Sequence, residues 1–107
     1  DRFPLLYFAH DYGLEYFAAF PGCSSESEPS ANAMAELTSK VTELSIPVVF
    51  YIEFSTQKIA QAISEQTGCE TALFHSCHNV SLEDIDKGAT YISLMRNNLE
   101  LLKKALN

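Results

Sequence analysis

Residues 47–55 read PVVFYIEFS. The proline ends whatever helix precedes it, and Val48 to Ile52 then run without a polar break. A short apolar run rich in β-branched and aromatic side chains marks a strand covered on both faces, the arrangement found in parallel sheets. Working outward, Ser55 can N-cap a following helix with Ile59, Ala62 and Ile63 on its apolar face, and Gly68 stops it. Thr71 to Phe74 is a further strand. On the other side, Ser30 can cap a helix whose Met34, Leu37, Val41 and Leu44 recur at helical spacing. Strand, helix, strand in that order is the βαβ unit, whose strands are parallel.

The rest of the chain extends the same alternation. Phe3 to Tyr12 has helical periodicity with Pro4 in its first turn, and Gly13 follows where a left-handed C-terminal cap belongs. Glu15 to Phe20 reads as a strand. Ser81 and Asp84 have capping-box spacing for a short helical turn. A last helix spans about Thr90 to Leu106, with Tyr91, Leu94, Met95, Asn98 and Leu102 along one side and Lys103 and Lys104 near its C-terminal dipole. The expected fold is α/β, a three-layer α/β/α arrangement around a small, mainly parallel sheet. In such a sheet, ligands bind beyond the carboxyl ends of the strands. Residues 21–29, 53–55 and 75–82 supply the loops at that edge.

With 107 residues, 47% of them hydrophobic, the chain suffices for a single domain and one modest core. A net charge of -7, from 14 acidic and 7 basic side chains, argues against nucleic acid as a partner and favours cations or neutral groups. No apolar run approaches the roughly 20 residues that cross a bilayer. The chain begins at Asp1 without a methionine, as a processed protein or a fragment would. Cys23, Cys69 and Cys77 contain no C-x-x-C pair and allow at most one internal bridge.

The chemistry gathers in the loop after the last strand. His75, Cys77 and His78 bring two imidazoles and a thiol together, the donor types that zinc prefers. Loop histidines also serve structural roles, bonded to the backbone, and Cys77 fits a buried apolar position as well as it fits a ligand. Two other readings stand beside metal binding: a metal-free α/β module that binds a protein partner through its acidic surface, and a nucleophilic enzyme with a thiolate paired to His75 or His78, for which no motif supplies an oxyanion site or an orienting third group. A zinc site needs three or four protein ligands. The remaining histidine, His10, stands on a helix far along the chain at a position that faces solvent. Glu53 ends its strand where a carboxylate could orient an imidazole from behind, or could serve as a cap or a solvated group.

FHSCHNVS (74–81), FPGCSSESEPS (20–30) and GATYISLMRNNLELLKKALN (88–107) together resemble the C-terminal lobe of the zinc and manganese solute-binding proteins of ABC importers, a family that includes metal-binding adhesion lipoproteins. The resemblance implies one lobe of a two-lobed extracytoplasmic receptor, lipid-anchored through a segment outside this chain. It implies no enzymatic activity. The metal, zinc or alternatively manganese, would be held between this lobe and an N-terminal lobe, and passed to an ABC transporter permease. Carried over by position, the ligand after the later strand falls between His75 and His78, with His75 preferred because it directly ends the strand. The family's other C-lobe ligand precedes the first helix, where this chain has DRFPLLYF, so Asp1 is its candidate replacement. Glu26 and Glu28 match acidic positions of the family's loop, in a role of holding that loop near the cleft.

Overall fold

The computed structural model describes residues 5–19, 30–54 and 57–106. In chain order the elements are α1 (Leu6–Asp11), α2 (Ala31–Glu43), β1 (Val48–Tyr51), α3 (Lys58–Thr67), β2 (Glu70–Leu73), α4 (Leu82–Asp86) and α5 (Tyr91–Leu106). The strands run parallel, with Val48 opposite Glu70 and Tyr51 opposite Leu73. Helix α3 crosses over between them and packs on both strands and on α2. The buried core of this layer contains Val41, Val48, Ala60, Ile63 and Phe74. The rings of Phe50 and Phe74 meet edge-on with centroids 5.5 Å apart. Alternation along the strands turns Tyr51, Thr71 and Leu73 the other way. These residues share an open groove with Leu94, Asn98 and Leu101 of α5. Helices therefore flank the sheet as the α/β pattern requires.

Local chemistry explains most of the boundaries. The Ser30 hydroxyl accepts from the Ala33 amide at 3.1 Å, capping α2 as its sequence position suggests. Ser81 does the same for α4 through the Asp84 amide at 3.1 Å, and donates to the Asp84 carboxylate at 2.7 Å. Thr90 and Ser93 exchange reciprocal hydroxyl–amide bonds at the start of α5. Gly13 is left-handed, and the Leu14 and Gly13 amides close back onto the Ala9 and His10 carbonyls at 2.8 and 3.2 Å, which ends α1 in a Schellman motif.

Three expectations need correction. Residues 15–19 form no strand; Phe20 lies outside the described residues. A strand exists only with a ladder partner, and this stretch lies against α2 instead, where the Lys40 ammonium sits 5.7 Å from the centre of the Phe17 ring. Ser55 also lies outside the described residues, and the N-cap position of α3 is Gln57, left-handed and without a side-chain cap bond. Tyr91, assigned to the apolar side of α5, is exposed, because the buried stripe of that helix runs through Leu94 and Asn98.

Candidate functional site

The loop that follows β2 is fixed one peptide unit at a time. The Phe74 amide donates to the Tyr51 carbonyl at 2.8 Å, the last main-chain bond between the two strands' ends. Among the described residues no strand lies beside His75. Its amide donates to Asn98 Oδ1 at 2.8 Å, and its carbonyl accepts from Asn98 Nδ2 at 2.7 Å. One buried amide side chain on α5 thus pairs with both polar groups of His75, as a neighbouring strand would. The next residue turns to β1: the Ser76 amide donates to Glu53 Oε2 at 2.9 Å, and its hydroxyl donates to Glu53 Oε1. The Cys77 amide then donates to His75 Nδ1 at 2.9 Å, with Cys77 left-handed at φ 61°. The His78 amide reaches Ser76 Oγ at 3.3 Å.

These bonds define the electrostatics. The His75 ring is buried, only 5% exposed, and its Nε2 has no hydrogen-bond partner among the described residues. Because Nδ1 accepts an amide hydrogen, the proton of the neutral ring belongs on Nε2. A buried polar nitrogen left unpaired is costly unless something else completes it. Glu53 Oε2 stands 3.9 Å from His75 Nδ1. Burial pushes the Glu53 carboxyl up, but the hydroxyl and amide of Ser76, its own amide and the neighbouring His75 outweigh burial and hold it below its ordinary value. Burial, and then the Glu53 charge, push the Cys77 thiol up. Cys77 is thus kept protonated, the opposite of what a nucleophilic thiolate needs.

The candidates named from the sequence are partly brought together. His75 and Cys77 lie in the loop after β2, and Glu53, from the end of β1, meets that loop through Ser76; His78 lies in the same loop but is exposed, and His10 is exposed on α1. Asp1, Glu26, Glu28 and Cys23 lie outside the described residues. Among the described residues no three His, Cys, Asp or Glu side chains converge closely enough to hold a metal ion, whereas Cys69 and Cys77 are free thiols. Asn98, which holds the His75 backbone, has no role in the sequence-based expectations beyond its place on α5, although an amide four residues after Leu94 on an otherwise apolar helical stripe marks the position.

The sequence matches, over residues 3–105, the family described as ZnuA: Zinc-uptake complex component A periplasmic. The High-affinity zinc uptake system protein ZnuA of Bacillus subtilis is 33% identical over 100 residues, a match covering 94% of this chain and 31% of that protein. The Zinc-binding lipoprotein AdcA of Streptococcus pneumoniae is 37% identical over 98 residues, covering 92% of this chain and 19% of its own length. The crystal structure of the Zn(II)-bound ZnuA-like domain of Streptococcus pneumoniae AdcA superposes with a TM-score of 0.68 at 36% identity, over 94% of this chain and 38% of that one. The chain thus spans a third or less of the curated relatives it matches. With nearly its whole length matched in sequence and in fold, the chain belongs to the ZnuA family of periplasmic zinc-uptake components.

Proposed function

We propose that the chain forms one lobe of an extracytoplasmic zinc receptor. The metal is cargo: it is captured between this lobe and an N-terminal lobe, then released to an ABC importer permease without chemical conversion. The observation that carries the proposal is the His75 imidazole, fixed in a bonded loop at the carboxyl end of a parallel sheet, with Nε2 buried and without a partner among the described residues. Zinc suits an imidazole donor, and the relatives from Bacillus subtilis and Streptococcus pneumoniae carry zinc in their names. Manganese, which prefers oxygen ligands, is the alternative cargo. Asp1 is the second candidate ligand from this chain, and His78 is the alternative to His75. The membrane enters through a lipid anchor on the parent protein, in keeping with the lipoprotein name of the pneumococcal relative.

Zinc at Nε2 requires the ring proton to reside on Nδ1. That nitrogen must then exchange the Cys77 amide for an acceptor, and Glu53 Oε2, 3.9 Å away, is the group in reach. The result is a carboxylate–histidine–zinc relay, in which the carboxylate fixes the tautomer and raises the basicity of the ligand. Zinc titration against a competing chelator, with the whole binding protein, tests the assignment. His75→Ala should lower affinity at least about 100-fold, because one of only three or four ligands is lost, and His78→Ala should leave it within a few-fold. Unchanged affinity in both variants would sink the metal reading.

A further inference from the structure

The geometry assigns to Asn98 the role of positioning residue for the metal-ligating loop, an inference that rests on His75 being a ligand. Three observations carry it. First, β2 ends at Leu73 and its last main-chain bond to β1's end is made by Phe74, so nothing in the sheet holds the His75 peptide groups. Second, Asn98 takes up both of them, accepting from His75 N at 2.8 Å and donating to His75 O at 2.7 Å. Third, Asn98 is the most deeply buried side chain among the described residues, 2% exposed, where an amide is expensive unless all its groups are used. An apolar residue would fill that position on α5 more cheaply. The amide is there because it does something a leucine cannot.

What it does is reference the His75 backbone to α5. Two opposed hydrogen bonds fix translation along the strand direction and rotation about it, which together set where Cβ and the imidazole point. Glu53 fixes the next residue from the β1 side. The ligand is therefore held between a helix and a strand end, and any displacement of α5 along its axis is carried to it. A ligand misplaced by such a displacement meets the partner lobe's donors out of register, which lowers affinity without unfolding the lobe.

The test uses the whole binding protein and compares Asn98→Leu, near in volume and lacking both bonds, with Asn98→Asp, which keeps the acceptor for His75 N. Zinc affinity is read by chelator competition, ligand geometry from the d–d absorption of the Co²⁺-loaded protein, and apoprotein melting alongside. Loss of a group that orients a metal ligand costs about 10–100-fold in affinity. Asn98→Leu should show that loss together with altered Co²⁺ bands, and Asn98→Asp a smaller loss. If Asn98→Leu does not fold, Asn98→Asp decides on the same readouts. A folded variant with lowered melting temperature but unchanged zinc affinity and Co²⁺ spectrum would reduce Asn98 to a packing role and overturn the inference. His75→Ala is the companion control. If it abolishes binding while the Asn98 variants bind normally, only the present inference fails; if it too binds normally, the metal reading fails with it.

Discussion

Glu53 shows how much a single carboxylate does at the end of β1. Its two oxygens accept from the amide and the hydroxyl of Ser76, and the side chain is only 11% exposed. Glu53→Gln keeps one acceptor but turns an NH₂ group toward a donor of Ser76. A charge-assisted bond exchanged for an unsatisfied buried donor costs about 1–3 kcal/mol. The contribution depends on pH in a definite direction. The folded carboxyl is held below its ordinary value of 4.5, so the stabilisation is fully present above that value and is lost as pH falls through the lower, folded one. Urea unfolding of both proteins at several pH values checks this. The parent should be more stable at pH 7, and the gap should close on acidification below about pH 4.5, where the unfolded-state carboxyl begins to protonate. A gap that does not change with pH would mean that the Glu53 charge is irrelevant to folding.

At the scale of elements, β1, α3 and β2 could be read from residues 47–74 because four local signals agreed, a proline boundary, an unbroken apolar run, helical spacing and a terminal glycine, and only the N-cap of α3, expected at Ser55, falls elsewhere, at Gln57. Gly68 is the clearest of these. It is left-handed at φ 76°, and its amide closes α3 onto the Ser64 carbonyl at 2.7 Å. A Cβ built there would meet nothing within 4 Å, so the cost of Gly68→Ala is conformational alone, about 1–2 kcal/mol. Thermal unfolding should show that loss, whereas zinc binding by the whole protein should not change. The stretch from Glu15 shows the opposite case. Its aromatic and apolar content suits a strand, but strand formation depends on a neighbour that sequence periodicity does not reveal, and Phe17 goes instead to Lys40 on α2. The loop site was legible in composition and not in connectivity. His75, His78 and Glu53 could be named from their types and their place after strands, but the bonds that distinguish the buried His75 from the exposed His78 come from Asn98, which is 23 residues further on.

For the whole molecule, the decisive quantity is how many ligands one lobe can offer. A zinc site takes three or four protein ligands. The described residues bring no three candidate side chains together, and the proposed contribution of this chain is His75 with Asp1. The solved zinc-bound relative is matched over only 38% of its chain, which leaves room there for the remaining donors of a shared site. In the shared site proposed here, one lobe alone loses the full hydration of the metal for only part of the coordination energy, so this chain by itself should bind zinc weakly. A protein carrying both lobes should bind at least about 100-fold more tightly, a difference of roughly 2.7 kcal/mol. Lowering the pH should release zinc from the complete site, because a protonated imidazole has no lone pair to give. Chelator competition on the two proteins, run in parallel at neutral and acidic pH, measures both effects. Equal affinities would mean that one lobe holds the entire site, and the interlobe mechanism would have to be abandoned; tight binding by the larger protein alone, lost with His75→Ala, is the outcome that the proposed shared site requires.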